Sequence, residues 1–397
     1  MAPGRRTRIL IVDDSAVMRS LLRSVVCADA GLEVAGTAAD GASALSSIDV
    51  VRPDLILLDV EMAGMDGLAT LRALRKRGHK MPVIMCSSLT QRGAKVTLEA
   101  LACGASDYVA KPAGQANREA AMRALGLDLS PKIHALMSQY LAPNPASLQA
   151  HNQRPGIGPF QGQPQSIFQD GARAPLFLPL AQPHRPQAIS SNPTVLAIGV
   201  STGGPAALDV LLPSLPANFP LPMLIVQHMP ELFTKLLAER LNSRCKLRVR
   251  EAQEGDPVRA GTISIARGNW HMEVLAGARA GSPPTLRLTQ GPPENHCRPA
   301  VDVLFRSAAA VYGAGVLTVV LTGMGSDGML GCRTIREHGG AVLAQDRASS
   351  TVWGMPGAVV NAGLAHKVLS LKDVVPEILR LAGRTHSEAR ELRESAV

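Results

Sequence analysis

Short apolar runs alternate with helix-like segments through the first 112 residues of the chain. The apolar runs have the length of strands and occupy residues 8–12, 55–58, 83–86 and 108–110. The helix-like segments occupy residues 16–28, 41–48, 67–77 and 91–103. Strands that alternate with helices indicate a parallel sheet covered on both faces. An apolar stretch at residues 131–141 predicts a last helix, so we assign residues 1–141 to a first domain.

The amino-acid composition of the chain changes at about residue 142. Proline and glutamine recur from there to residue 192. Proline blocks hydrogen-bonded ladders and glutamine adds no core surface, so this composition predicts a flexible Pro/Gln-rich linker.

A second alternating pattern begins after the linker. Its apolar runs occupy residues 194–200, 223–226, 261–266, 316–322 and 341–344. The pattern predicts a second α/β domain at residues 193–384, again with a doubly wound parallel sheet. The polar residues 385–397 are expected to form a tail that frays.

Composition narrows the classes of function. Hydrophobic residues make up 46% of the chain and charged residues 18%, as in a soluble globular protein. The net charge is +9, but no basic run is interleaved with aromatic residues, so nucleic-acid binding is not supported. No apolar run approaches a membrane span and no signal peptide is evident, so we expect a cytoplasmic protein without membrane insertion. The six cysteines form no CxxC pair, which argues against zinc.

Charged residues follow three predicted strands of the first domain. Asp13 and Asp14 follow the first strand, Asp59 follows the run at 55–58, and Lys111 follows the run at 108–110. Ligands bind beyond the carboxyl ends of strands in an open parallel sheet, so these residues should surround one crevice. Neighbouring carboxylates repel one another without a cation, and Mg²⁺ prefers such oxygen ligands.

Asp59 can then act as a nucleophile towards a phosphoryl group, with the metal and Lys111 offsetting charge. Ser87, just past its strand, is placed to hydrogen-bond a phosphoryl oxygen. Taken alone, Asp13 and Asp14 would more simply form a turn or a helix N-cap. The features in this order, with a Met-Asp-Gly turn after Asp59, favour the phosphorylation site.

Residues 7–112 closely resemble the receiver domain of two-component response regulators. The resemblance implies a flavodoxin-like fold with Asp59 as phospho-acceptor. It implies that Asp14 binds Mg²⁺ directly, with Asp59 beside it and Asp13 in support. Further residues that it assigns to the phosphoryl group are the switch pair Ser87 and Tyr108 and the phosphate-sensing Lys111. Ala63 stands where the family often has proline, which loosens a loop.

Ser201 follows the first strand of the second domain. Residues 199–203, Gly-Val-Ser-Thr-Gly, fit the pattern G-x-S-x-G. Its glycines permit a sharp strand-to-helix turn, and the N-terminus of the following helix supplies unpaired N–H groups. A glycine-rich turn after a strand can instead bind a phosphate or a dinucleotide.

His228 and Asp327 follow two further strands of this domain. Alone, His228 can be an ordinary residue at a strand edge, and Asp327 can be the cap of the next helix. Together with Ser201 they form a candidate triad, in which Ser201 is the nucleophile, His228 the base and then the acid, and Asp327 the orienter. The order Ser…His…Asp disfavours an ordinary α/β-hydrolase, whose histidine comes last.

Five sequence blocks of this domain resemble the chemotaxis-specific protein-glutamate methylesterases, the CheB family. The blocks are GVSTGG, VQHMP, RPAVDVLF, LTGMGSDG and WGMPGAVV. The resemblance implies a Rossmann-like esterase domain that hydrolyses glutamate methyl esters, and often deamidates glutamines, on the cytoplasmic helices of chemoreceptors. It implies a chemotaxis histidine kinase as phosphodonor and no cofactor for ester hydrolysis. One departure is Cys297, where the family commonly has His-Arg-Pro.

Glycine-rich turns of the second domain also offer groups for an oxyanion hole. Its candidates are Thr202, Gly203 and Met324, because they lie in the glycine-rich turns near the proposed nucleophile. Two other functions fit the pattern: hydrolysis of a small metabolite ester under the same control, and a non-catalytic adaptor. An open groove would distinguish a protein substrate from a small ester, and the complete triad counts against the adaptor.

Overall fold

The first sheet is built from short buried strands. In the computed structural model its strands are β1 (Thr7–Val12), β2 (Leu32–Ala38), β3 (Leu55–Asp59), β4 (Val83–Ser87) and β5 (Asp107–Ala110). Their order is β2-β1-β3-β4-β5 and all neighbours are parallel. Strand β2 was not predicted from the sequence, because it is an edge strand of mixed burial with no continuous apolar run.

Five helices cover this sheet: α1 (Ala16–Cys27), α2 (Gly41–Val51), α3 (Gly67–Lys76), α4 (Gln91–Ala102) and α5 (Arg118–Tyr140). The last helix was predicted to begin at residue 131, but it begins at Arg118. Its true start is capped by the side chain of Asn117, which accepts from Ala120 N, and Pro131 lies inside the helix.

The second sheet has seven parallel strands. They are β6 (Val195–Val200), β7 (Met223–Gln227), β8 (Arg248–Glu251), β9 (Thr262–Ile265), β12 (Val316–Val320), β13 (Ala341–Gln345) and β14 (Lys367–Leu369). Their order is β14-β13-β12-β6-β7-β9-β8. A separate antiparallel hairpin consists of β10 (His271–Leu275) and β11 (Thr285–Thr289). The hairpin mixes buried, half-buried and exposed residues, and polar residues interrupt its apolar ones, so the sequence contains no long apolar run there.

The helices of the second domain complete the α/β pattern. They are α6 (Gly204–Leu211), α7 (Glu231–Asn242), α8 (Val301–Tyr312), α9 (Met329–Glu337), α10 (Met355–Asn361) and α11 (Leu371–Glu394). Helix α11 continues past residue 384, where we expected the polar tail to begin. The predicted architecture of two parallel-sheet domains is confirmed.

The structure describes residues 5–112, 115, 117–141, 192–279 and 281–394, with the backbone alone for 384–394. The proposed linker lies outside these ranges except for Asn192. Within them no helix is both long and apolar enough to cross a membrane. Residues of the two domains belong to one compact unit, in which α4 packs against α6 and α7.

The order of the second sheet fixes where its site lies. Strand β6 has β7 on one side and β12 on the other, so the chain winds in opposite directions from β6. Ligands of open α/β sheets bind beyond the carboxyl ends of the strands at such a reversal. The segments after β6, β7 and β12 carry Ser201, His228 and Asp327.

Candidate active site and phosphorylation site

Three carboxylates meet at the carboxyl edge of the first sheet. Asp13 and Asp59 are buried and Asp14 is exposed, and one oxygen from each lies within 4.8 Å of the others. Nζ of Lys111 lies 2.8 Å from Asp13 and 2.7 Å from Asp59. The structure thus brings the four predicted residues into one cluster.

This cluster fits a hard cation. Oδ2 of Asp59 is buried and has no hydrogen-bond partner among the described residues. Burial raises the pKa of Asp59, and Lys111, which Asp59 shares with Asp13, offsets this only in part. Mg²⁺ prefers oxygen ligands, and these neighbouring carboxylates supply them.

The two residues of the predicted switch pair have different surroundings. The Ser87 hydroxyl is buried, donates to the carbonyl of Ser88 and accepts from Thr97 at 2.7 Å. The ring of Tyr108 stacks on Phe233 of the second domain, with centroids 4.6 Å apart. Tyr108 is therefore part of the contact between the domains.

The turn that carries Ser201 is held by its neighbours on both sides. Ser201 N donates to the Thr322 carbonyl after β12, and the Gln227 side chain at the end of β7 donates to the Ser201 carbonyl. Gly203 has a φ of +77°, and a Cβ there would lie 2.3 Å from Oγ1 of Thr351. The turn therefore requires glycine for both its backbone angle and its space.

His228 and Asp327 form a direct pair. Nε2 of His228 lies 2.8 Å from Oδ2 of Asp327, and the His228 side chain is 12% exposed. The Asp327 carboxylate also accepts hydrogen bonds from the backbone N–H groups of Val301, Asp302 and Gly328 and from the Asn295 amide. These donors fix the carboxylate against which the imidazole rests.

The pair changes the pKa of both partners. Burial lowers the pKa of His228, but hydrogen bonds to Asp327 and Cys297 outweigh it and raise the value to about 9. Burial raises the pKa of Asp327, but the hydrogen bond from His228 and the backbone donors lower it overall. In this arrangement the Asp327 carboxylate is charged at neutral pH, and the His228 ring is the positively charged imidazolium, with a proton on both nitrogens.

Ser201 lies near this pair without a bond to it. Within the described ranges no hydrogen bond joins the Ser201 hydroxyl to His228. Nδ1 of the ring instead faces Sγ of Cys297 at 3.5 Å. The structure thus brings His228 and Asp327 together, while the contact between Ser201 and His228 remains to be made.

The oxyanion candidates lie on turns at the same edge. Among the described residues, the backbone N–H groups of Gly203 and Met324 donate to no other group. Thr202 is buried, and its hydroxyl donates to Asp107 of the first domain at 2.7 Å. Gly203 and Met324 can therefore offer N–H groups to a developing negative charge.

Contacts from the first domain surround this edge. Besides the bond from Thr202 to Asp107, Met324 and Val352 pack against the core that α1 and α5 share with the first sheet. The Gln139 side chain, on α5, donates to the Arg347 carbonyl at 2.6 Å. The first domain therefore touches the residue that follows Ser201 and the loop that carries Met324.

Sequence reasoning missed several of these residues. Asn295 supports Asp327, but no motif marked it, and Asp107 and Phe233 gave no signal because they act across the domains. Cys297 was noticed only as a departure from a family pattern. Its contact with His228 depends on the path of the chain between β11 and α8.

Comparisons with known proteins identify the family of the chain. The family described as CheB methylesterase matches residues 196–378, and the response regulator receiver domain matches residues 9–123. A protein of Trichodesmium erythraeum, named protein-glutamate methylesterase/protein-glutamine glutaminase, is 46% identical over 95% of this chain and 99% of its own length. A protein of the same name from a Nocardioides species is 48% identical over 95% of this chain and 96% of its own length. The crystal structure of the Thermotoga maritima CheB methylesterase catalytic domain is 40% identical, covers 48% of this chain and 98% of its own, and has a TM-score of 0.46.

Proposed function

The chain belongs to the CheB methylesterase family, and from this premise we propose that its second domain hydrolyses glutamate methyl esters on proteins, with Ser201 as nucleophile. The chain is a hydrolase of the protein-glutamate methylesterase/protein-glutamine glutaminase type with a response regulator receiver domain. The observation that carries the residue assignment is the bond between His228 and Asp327, beside the turn of Ser201. A binding module has no need for this arrangement.

The reaction is acyl transfer in two steps. Neutral His228 takes the proton of Ser201 while the hydroxyl oxygen attacks the ester carbonyl carbon. Asp327 already engages Nε2, so the proton goes to Nδ1, and the ring exchanges its contact with Cys297 for one with Ser201. His228 then protonates the leaving methanol. In the second step the oxygen of water attacks the acyl carbon while His228 takes its proton. The bond between the acyl carbon and Oγ of Ser201 then breaks, His228 returns the proton to Oγ, and the glutamate carboxylate leaves.

Negative charge on the carbonyl oxygen needs donors that are already in place. The N–H groups of Gly203 and Met324 are the candidates that the backbone leaves free, and Thr202 holds its turn through Asp107. Such donors reduce the reorganisation needed when charge develops. Deamidation of a glutamine follows the same steps, with ammonia in place of methanol.

The receiver domain supplies control. Asp59 accepts the phosphoryl group, Asp14 and Asp13 hold Mg²⁺ with it, and Lys111 compensates charge. Bound Mg²⁺ supplies positive charge that reduces repulsion between the carboxylates and the phosphoryl group. Ser87 is positioned to bind a phosphoryl oxygen once its present bonds are exchanged.

Phosphorylation acts through the contact between the domains. In the unphosphorylated arrangement the receiver touches Thr202 and Met324 beside the proposed nucleophile, and Tyr108 stacks on Phe233. A phosphoryl group that favours another position of Tyr108 weakens this contact and opens the site. The differential binding energy between the docked and free states sets the size of the effect.

The proposed substrate is the methylated cytoplasmic helices of chemoreceptors, and the proposed phosphodonor is a chemotaxis histidine kinase, which places the reaction in the cytoplasm. The test is release of labelled methanol from a methyl-labelled receptor fragment by the full-length protein. A labelled small methyl ester serves as the comparison substrate. Turnover of the small ester with none of the receptor would contradict the assignment of a protein substrate.

A further inference from the structure

Cys297 and Asp327 lie against different nitrogens of the same imidazole. Sγ of Cys297 is 3.5 Å from Nδ1 of His228, while Nε2 bonds to Asp327 at 2.8 Å. The thiol therefore contacts the imidazole, and the imidazole contacts the carboxylate. These three groups have the roles of a cysteine nucleophile, its base and the orienter of the base.

The turn that carries Cys297 is fixed relative to the ring. Cys297 N donates to the Glu294 carbonyl at 2.8 Å, and Glu294 N donates back to the Cys297 carbonyl at 3.1 Å. Between them, the Asn295 amide bonds to Asp327, the residue that also holds His228. One carboxylate thus positions both the imidazole and the turn of the thiol.

This environment favours a reactive thiol. The thiolate is the nucleophilic form of cysteine, and a neighbouring protonated imidazole stabilises it. Asp327 favours the protonated ring, whose pKa is raised to about 9, and Cys297 is only half-buried. By contrast, Cys86 and Cys332 are buried and burial raises the pKa of both.

We propose that Cys297 is a redox modification site, at which a hydroperoxide oxidises the thiolate and the oxidised sulfur blocks the imidazole that Ser201 needs. The inactivation half of this proposal rests on the proposed role of His228. The thiolate sulfur attacks one peroxide oxygen and the O–O bond breaks. With hydrogen peroxide, the departing hydroxide takes the proton of His228 and leaves as water. Sulfur is oxidised to sulfenic acid while the peroxide is reduced.

Oxidation has a direct consequence for the proposed esterase. Sulfenic acid adds an oxygen next to Nδ1, the atom that we assign to receive the Ser201 proton. The ring is then held between the oxidised sulfur and Asp327. A thiol reductant removes the added oxygen and restores the original contact.

The test compares two cysteines within the full-length wild-type protein. Hydrogen peroxide is added, sulfenic acid is trapped with a dimedone probe, and each cysteine is quantified by mass spectrometry. Exposed Cys27 is the internal control, because among the described residues a histidine contacts the thiol of Cys297 and none contacts that of Cys27. We expect Cys297 to be labelled about tenfold faster than Cys27. In His228→Gln the rate at Cys297 should fall to that of Cys27, with Cys27 unchanged.

Esterase activity is followed in parallel. In samples treated with peroxide but without the dimedone probe, methanol release should fall as Cys297 is oxidised and return after dithiothreitol, and Cys297→Ser should keep its own starting rate through the peroxide treatment. Labelling of Cys297 no faster than Cys27, or unaltered by His228→Gln, overturns the reactive pair. Equal peroxide inactivation of wild type and Cys297→Ser overturns the block. The labelling needs no substrate, so failure of the proposed esterase leaves it readable.

Discussion

Asp327 accepts more hydrogen bonds than a helix cap alone requires. Its two oxygens accept from the imidazole of His228, an amide side chain and three backbone N–H groups. A carboxylate fixed in this way can orient a histidine without moving itself. The turn of Ser201 is held through its backbone, so its hydroxyl and the imidazole are the groups that must move into contact.

Replacement of the proposed nucleophile is the first prediction at this scale. Ser201→Ala should lower methanol release by a factor of about 10⁴ to 10⁶, because the other hydroxyl of its turn, on Thr202, is buried and bonded to Asp107. The fold should remain, since the backbone bonds of Ser201 do not use its hydroxyl. Steady-state rates and circular dichroism measure the two effects. A rate within about tenfold of wild type would exclude Ser201 as nucleophile.

The pH dependence follows from the pKa of His228. The base must be neutral, and a pKa raised to about 9 leaves it protonated at lower pH. We therefore expect kcat/KM to rise about tenfold per pH unit towards pH 9 and to level off above it.

Asp327→Asn is the matched variant for this profile. It removes a carboxylate that raises the pKa of His228, so the rise should move to lower pH while the maximum rate falls. The measurement is kcat/KM from pH 6 to pH 10 for both proteins. A wild-type profile that is flat across this range would contradict the assigned base.

At the scale of elements, continuous apolar runs were the reliable signal. Strands β6, β7 and β12 are buried at every residue, so the sequence predicted them and the sites that follow them. Strand β2 and the β10–β11 hairpin expose one face or an edge, and their apolar residues do not form a run. Short polar contacts such as that of Asn295 with Asp327 depend on loops, which local sequence rules do not position.

Strand β5 of the receiver carries two residues with roles that its sequence did not reveal. Tyr108 was assigned to a switch by resemblance, and the structure adds its stack on Phe233 of α7. Asp107, buried and with its pKa raised by that burial, accepts from Thr202. Burial of a carboxylate requires such a partner, but the partner comes from a different domain.

Loss of the stack between β5 and α7 gives the prediction at this scale. Tyr108→Leu keeps an apolar side chain and removes an aromatic pair worth about 0.5–1.5 kcal/mol. The docked state should weaken, and methanol release without phosphodonor should rise about two- to tenfold. Tyr312→Leu, a partly buried residue packed against the core of the second domain, is the control and should not raise the rate. No rise in Tyr108→Leu would mean that the stack does not restrain the enzyme.

At the scale of the whole molecule, the acidic cluster must communicate with the second domain. We predict that a small phosphodonor with Mg²⁺ labels Asp59 and raises methanol release. Asp59→Asn should abolish both effects, and chelation of Mg²⁺ should prevent them in the wild type, because the carboxylates then lack a counter-charge. Mass spectrometry locates the label. A phosphoryl group on Asp59→Asn at the wild-type level would rule out this acceptor.

Removal of the receiver tests the direction of control. Residues 193–397 contain the complete seven-stranded sheet and its helices, so the fragment has the architecture of a domain. The fragment lacks Asp107 against Thr202, Tyr108 against Phe233 and Gln139 against Arg347. The docked state is then absent, so the fragment should hydrolyse the receptor ester about 5- to 150-fold faster than unphosphorylated full-length protein.

The same fragment should no longer respond to phosphodonor, since it lacks Asp59. Methanol release is measured for both proteins with and without the donor, and the fragment with Ser201→Ala controls for contaminating esterases. Gel filtration must show a single species, because deletion exposes Phe233, which is fully buried beneath Tyr108. A monodisperse fragment no faster than the unphosphorylated chain would mean that the receiver does not inhibit the second domain and is instead an activator or a localiser. If it is an activator, the contacts around Thr202 support the active site, and phosphorylation has to strengthen them.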